Sequence, residues 1–248
     1  MVWALIEMSA DINKAGNDGG TPLYLAAGHD NEAVLRALIE AGANVHKVTE
    51  AGESPLLVAT ERGHEAVVRA LIEADADVSK AKNDGVTPLL MAACNGHETL
   101  VRVLIEAGAD VNKATDGGET ALFIAAEFAH DVVVRALIEL GADVNKAVDN
   151  GATPLFIAAC NGHEAAVRAL IELGADANKA EDSGTTPLFI AACNGHEAAV
   201  RALIELGADA NKAEDSGTTP LYVAAQQGHE TVVRALIELG ADANEVMD

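Results

Sequence analysis

Six histidines, His64, His97, His130, His163, His196 and His229, recur every 33 residues, and three of them follow a cysteine by three positions, at Cys94, Cys160 and Cys193. Imidazole and thiol are the side chains of zinc ligation and of nucleophilic catalysis, and both chemistries need convergence on one point. Zinc ligands stand about 2 Å from the metal, whereas units stacked through helices advance by about 8 to 10 Å. Members of such a column cannot share an ion. The Cys/His pairing repeats at Cys94/His97, Cys160/His163 and Cys193/His196, which points to packing at a turn and not to one active site. The column is read as imidazoles hydrogen-bonding backbone at the turn between two helices. His29 and His46 stand outside the column with no partner evident. The glycines belong to turns and lack the Gly-Lys-Ser/Thr sequence of a phosphate loop. Asp182-Ser183-Gly184 and Asp215-Ser216-Gly217 lack the dense ligand spacing of a calcium loop. The expectation is no catalytic, cofactor or metal residue, and no enzyme.

The elements that carry these residues share one period. Thr21, Ser54, Thr87, Thr120, Thr153, Thr186 and Thr219 each begin a Thr/Ser-x-Leu triplet, with Gly two positions before and Arg fifteen after, from Arg36 to Arg234. A fixed period of this length is the mark of a repeat array. Seven units are read, at 16–48, 49–81, 82–114, 115–147, 148–180, 181–213 and 214–248, after a partial unit at 1–15, all in a single domain spanning 1–248. Residues 153–185 and 186–218 are identical, as after recent duplication or modular construction. Other units depart: Asp30, Asp75 and Ala129 replace glycines, and Ala121 replaces proline.

Half of the 248 residues are hydrophobic but only 3% are aromatic, so the interior must be a thin, continuous layer of Ala, Leu, Ile and Val. The formal charge of -23 opposes phosphate backbones and anionic lipid, which excludes nucleic acid and membrane surfaces as expected partners. The start, Met1 to Met8, has no basic segment and is broken by Glu7, unlike a secretory signal. No apolar run approaches the roughly 20 residues of a membrane span. Cysteines on helices one unit apart are too distant for a disulfide, which needs Cα atoms within about 7 Å. Three free thiols suit a reducing compartment, and a cytoplasmic or nuclear location is expected.

Within the unit at 148–180, Asp149-Asn150-Gly151 is turn chemistry and Thr153-Pro154 starts a helix, because proline fits the first turn without losing a needed donor. Leu155 to Ala159 fill that helix, and Asn161-Gly162 end it. A second helix opens near His163-Glu164 and runs through Val167, Leu170 and Ile171, whose spacing makes one apolar face. Gly174 stops it. The Leu column from Leu38 to Leu236 and the Ile column beside it are the expected seam between units. The Arg column is expected to pair with Glu four residues on, as Arg168 with Glu172, in a surface ion-pair stripe.

The runs Thr153-Pro154-Leu155, Ala158-Ala159, Gly162-His163 and Gly174-Ala175-Asp176 with Asn178 resemble the ankyrin repeat, over about Gly16 to Asn244. The resemblance implies an all-α ankyrin-repeat solenoid of stacked helix-turn-helix units with projecting β-turn or hairpin loops. One departure is notable: the family commonly has His after Thr-Pro-Leu, whereas this column reads Tyr24, Leu57, Leu90, Phe123, Phe156, Phe189, Tyr222. The Thr-His hydrogen bond of the family is absent, and apolar contact is expected to replace it.

The resemblance further implies a protein-interaction scaffold that takes a protein or peptide on its loop tips and first-helix face, which form a concave groove. Here that groove is acidic and suits a basic partner. At the tips the candidate residues are Asp116, Asp149, Asn150, Asp182, Ser183, Asp215 and Ser216. On the helix face they are Glu61, Arg62, Asn95, Glu127, Phe128, Asn161, Asn194, Gln226 and Gln227. Phe128 stands where neighbouring units have Asn95 and Asn161, and it reads either as an exposed anchor or as a packing response to Ala129. At the ends, Trp3 to Glu7 align with a second helix, and Val232 to Ile237 are as apolar as any interior copy. Self-association through the C-terminal end, a structural module, and a targeting fragment of a larger multidomain protein are the alternative readings.

Overall fold

In the computed structural model, residues 11–242 are described, and they form fourteen helices, two per repeat. The first helices are α1 (Pro22–Gly28), α3 (Pro55–Glu61), α5 (Pro88–Cys94), α7 (Ala121–Glu127), α9 (Pro154–Cys160), α11 (Pro187–Cys193) and α13 (Pro220–Gln226). The second helices are α2 (Glu32–Glu40), α4 (Glu65–Glu73), α6 (Glu98–Glu106), α8 (Asp131–Glu139), α10 (Glu164–Glu172), α12 (Glu197–Glu205) and α14 (Glu230–Glu238). This is the ankyrin-type solenoid of helix-turn-helix units. The half repeat expected at Trp3 to Glu7 lies outside the described residues.

Each first helix starts for the same physical reason. The Thr or Ser before it is extended, with φ -97 and ψ 168 at Thr153, and its hydroxyl accepts the N–H three residues on, as Thr153 Oγ1 from Phe156 at 3.2 Å. That cap satisfies one of the donors a helix start leaves open and is worth about 1 kcal/mol. Proline then occupies the first turn. In α7, Ala121 takes the proline position, and the Thr120 cap still holds, accepting from Phe123 at 3.2 Å. Glycines in the left-handed region end both helices of a unit, Gly162 at φ 72 and Gly174 at φ 105. Where glycine is replaced, Asp30, Asp75 and Ala129 keep that backbone, at φ 54, 65 and 60.

The described residues group into two compact units, one ending at Thr115 and one beginning at Asp116. In the first, α1 packs on α3 and α3 on α5, with α2 on α4 and α4 on α6 behind them. In the second, α7, α9, α11 and α13 pack in order, as do α8, α10, α12 and α14. Alanines let the first helices approach closely: Ala158, Ala159, Ala191 and Ala192 are fully buried. On the second helices the buried face is Ala166, Val167, Ala169 and Leu170. The Leu column is core as expected, and Leu137, fully buried, is a side chain whose truncation to Ala costs roughly 2 to 5 kcal/mol. The Ile column is not: Ile72, Ile105, Ile138, Ile171 and Ile204 are half-buried at the edge of the seam.

The Arg stripe is rearranged from the sequence expectation. Arg168 pairs with Glu164, four residues before it, and with Glu205 of the next repeat, each at 2.9 Å, while Glu172 takes Arg135 of the preceding repeat at 3.2 Å. Glu32–Arg36–Glu73 and Glu197–Arg201–Glu238 repeat the arrangement. A helical side chain leans toward the N-terminus, so an Arg meets the Glu one turn earlier. That order, Glu before Arg, is also the favoured one for the helix dipole.

Burial takes the place of the usual Thr-His bond at four positions of the column, while Phe156 is half-buried and Tyr222 is 48% exposed. Leu57 and Leu90 are 1% exposed and Phe123 and Phe189 7%. Tyr24 differs, because its phenol donates to Glu53 Oε2 of the next repeat at 2.7 Å. Burial, then that hydrogen bond, then the Glu53 charge push its pKa up to about 12.

Candidate functional site

The tip residues Asp116, Asp149, Asn150, Asp182, Ser183, Asp215 and Ser216 are all exposed, in successive loops of the second unit. Each loop is a tight turn, closed at 181–185 by Thr185 O accepting from the Glu181 N–H at 3.1 Å. One backbone bond ties each tip to the one before it: Asp149 N–H to Gly117 O at 3.3 Å, Asp182 N–H to Asn150 O at 3.0 Å, and Asp215 N–H to Ser183 O at 3.3 Å. Several tip side chains are also committed locally. Asn150 Oδ1 accepts from Ala152 N–H, and the Ser183 and Ser216 hydroxyls donate to Glu181 and Glu214 of their own loops. Burial raises the Glu181 carboxyl, but hydrogen bonds from Ser183 and Thr185 outweigh it and leave the group below its usual range. The tips present a row of exposed carboxylates on a backbone held by hydrogen bonds.

The second set of residues sits where the first helices end. A helix leaves its last carbonyls without intrahelical partners, and here the next repeat supplies them. His196 Nε2 donates to Cys160 O at 2.9 Å and His229 Nε2 to Cys193 O at 2.9 Å, while His163 takes Glu127 O at 2.9 Å. In the first unit His97 reaches Glu61 O at 3.2 Å and His64 reaches Gly28 O at 3.3 Å. These five histidines of the column therefore bond backbone, each across a repeat boundary within its unit. Asn161 Nδ2 joins it on Glu127 O at 3.1 Å, Asn194 Nδ2 on Cys160 O at 2.9 Å, and Arg62 Nη1 on Gly28 O at 2.5 Å. Asn95 instead donates to Met91 O of its own helix at 2.9 Å. Asn161, Asn194 and Arg62 thus hold the stack while remaining exposed.

Glu61, Gln226 and Gln227 are exposed, and Glu127 is half-buried. Burial, and then the charge of Glu119, raise the Glu127 carboxyl above its usual range. The three thiols are half-buried and reduced, and burial pushes Cys160 up against a weaker opposing hydrogen bond from Asn194. Among the described residues, no group of three His, Cys, Asp or Glu side chains converges as a metal site would require. No helix among them is long and apolar enough to cross a membrane.

Phe128 is 52% exposed, at the C-cap of α7. Val132, four residues on across the same turn, is 55% exposed and escaped notice in the sequence. The signal was available: Val132 stands where the other repeats carry Ala33, Ala66, Thr99, Ala165, Ala198 and Thr231. One turn of the second unit therefore shows two large apolar side chains where its neighbours show small or polar ones.

A family model described as ankyrin repeats (3 copies) matches residues 30–115, 74–148, 110–181 and 173–247. Among solved structures, the crystal structure of the human ASB11 ankyrin repeat domain is similar, with a TM-score of 0.81 and 29% identity over 90% of this chain and 99% of that one. A search of curated protein sequences found no match. The matched segments together span residues 30–247, which hold six of the seven helix pairs and the tip turns, and the chain belongs to the ankyrin-repeat family.

Proposed function

We propose that the chain is a non-enzymatic recognition scaffold, and that its second unit binds a basic protein or peptide in an acidic groove formed by the loop tips and the ends of the first helices. Ankyrin repeats generally mediate protein–protein interaction, and that is the frame for the finer reading. The observation that carries it is the exposure of Phe128 and Val132 on a turn that follows Glu127, in a unit whose loop tips carry exposed carboxylates and a chain of net charge -23. Aromatic anchors dominate interface energies. Surrounding carboxylates steer a basic partner and make the association rate fall with salt. A backbone already tied tip to tip loses little freedom on binding. The same net charge argues against nucleic acid and anionic lipid, and the free thiols accord with a cytoplasmic or nuclear site of action.

Selection of binders from a random peptide display library tests this. Enriched peptides should combine Lys or Arg with an apolar residue, and Phe128→Ala should weaken them by about tenfold or more at unchanged melting temperature. Enrichment of acidic peptides would sink the reading. So would a Phe128→Ala variant that loses stability and keeps its affinity.

A second reading, self-association, has its own observation. Ile237 is 53% exposed in α14 and Leu221 is half-buried, whereas the equivalent Leu188 is 1% exposed. Light scattering across a concentration series decides it: a mass constant at 25.5 kDa removes this reading, and a mass that climbs supports it.

A further inference from the structure

One carboxamide ladder runs along the loops that follow the second helices. Asn145 Oδ1 accepts the Asp176 N–H of the next repeat at 3.0 Å, its Nδ2 lies 3.4 Å from Gly174 O, and its main-chain carbonyl, outside the carboxamide, takes Lys179 Nζ at 2.8 Å. Asn178 does the same with Asp209, Gly207 and Lys212 at 2.8, 3.2 and 2.7 Å. Asn211 accepts from Asp242 at 2.8 Å. In the first unit, Asn13 Oδ1 accepts the Asn44 N–H at 2.7 Å, and its main-chain carbonyl takes Lys47 Nζ at 2.8 Å.

The ladder is interrupted in the next two repeats, where the register positions after Asn13 are His46 and Ser79, and the Ser79 hydroxyl donates to Asp77 of its own loop. An imidazole has no carbonyl and amino group side by side. The counterparts of Asp176 N–H and Lys179 Nζ are Asp77 N–H and Lys80 Nζ, and neither makes the bond seen at Asn13, Asn145 and Asn178. A cleft of about 240 Å³ lies at that place, with His46, Asp77 and Lys80 around it and Val45, Leu56 and Ala76 among its apolar walls. The Asp77 carboxylate is turned onto its own loop, where Oδ1 accepts from Ser79 N–H at 2.9 Å and Ser79 Oγ at 2.6 Å. What the cleft offers is therefore one backbone donor, Asp77 N–H, in register with the N–H groups that hold a primary carboxamide elsewhere in the chain, with the Lys80 ammonium beside it.

We propose that this cleft binds a primary carboxamide, the Asn or Gln side chain of a peptide partner, in the place that Asn13, Asn145, Asn178 and Asn211 fill in their own repeats. The ligand carbonyl accepts from Asp77 N–H, and its amino group faces the carbonyl of Asp75, the register equivalent of Gly174. A carboxylate could use the same donors, but it lacks the amino donor and meets a chain of net charge -23, so the neutral amide is preferred. The site lies in the first unit on a different set of loops, and it stands independently of the acidic groove.

The test is an amide NMR titration of the full chain with N-acetyl-asparagine N-methylamide, and with the N-acetyl-aspartate N-methylamide as the acidic counterpart. The expected result is a saturable shift of the Asp77 and Lys80 amides with the carboxamide, several-fold weaker with the acid. In His46→Asn the chain supplies its own carboxamide, so the melting temperature rises and the probe's shifts vanish. In His46→Ala the cleft stays open and the shifts persist. The proposal fails if the native chain shows no saturable shift at these amides, if acid and amide bind equally, if His46→Asn binds the probe undiminished, or if His46→Ala loses it.

Discussion

His196 covers Gly162 of the preceding repeat. A Cβ added at Gly162 would lie 2.5 Å from His196 Nδ1, while the other ring nitrogen donates to Cys160 O at 2.9 Å. The glycine is thus demanded twice, by its φ of 72 and by the ring above it. Gly174, at φ 105, has nothing within 4 Å of an added Cβ. Gly162→Ala should cost about 2 kcal/mol, from left-handed strain and a disturbed hydrogen bond, and Gly174→Ala about 1 kcal/mol, from strain alone. Urea unfolding gives both values, and equal losses would show that the ring contact contributes nothing.

Ala129 is the natural counterpart of that experiment. It keeps φ at 60, and His163 still reaches Glu127 O at 2.9 Å, so the repeat has accommodated the Cβ and retained the bond. What remains is backbone strain. Ala129→Gly should therefore stabilise the chain by about 1 kcal/mol, less the added freedom of the unfolded state. A thermal melt that moves down would mean that Ala129 makes packing contacts outweighing its strain.

Helices and their ends were legible in the sequence because their causes are local: a Thr cap, a proline in the first turn, a glycine at the stop. The expected Arg168–Glu172 pair was misplaced because spacing alone does not say that a helical side chain leans toward its N-terminus. The Ile column was assigned to the seam because a 3.6-residue period marks a face but not its edge, and Ile171 falls on the edge. At the candidate surface, the outlier Phe128 was readable by comparing columns. The commitment of Asn161 and Asn194 to the preceding repeat was not, since it depends on how far one unit is offset along the next. The same holds at His46, whose irregularity is plain in the sequence but whose consequence, a cleft, appears only when two loops are set side by side.

Tyr24 gives a pH dependence with a definite sign. Its folded pKa, about 12, lies above its ordinary value of 10.0, because partial burial and then donation to Glu53 disfavour the phenolate. A group whose folded pKa is raised stabilises the fold fully below the unfolded pKa and loses that contribution as pH rises through the folded one. The contribution is present below pH 10 and disappears on the way to 12. In Tyr24→Phe the phenolate absorbance transition near pH 12 should vanish, and stability should fall less steeply over that window than in the parent. An unchanged slope would mean that folding does not raise the Tyr24 pKa.

Residues 153–185 and 186–218 are identical, which permits a deletion that changes the number of repeats without creating a new interface. Removing 186–218 joins Thr185 to Thr219 in register. His229 then takes Cys160 O in place of Cys193 O, Arg168 meets Glu238 in place of Glu205, and Asn178 receives the Asp242 N–H in place of that of Asp209. Every lost partner has a chemical equivalent at the same offset. Stability in a stacked array is a sum of unit and neighbour terms, so the shortened chain should fold, unfold cooperatively at a lower temperature, and show an m value reduced by about one repeat's share of the exposed surface. Circular dichroism and urea titration of the deletion variant measure both. A chain that fails to fold would mean that stability in the second unit depends on more than contacts between neighbouring repeats.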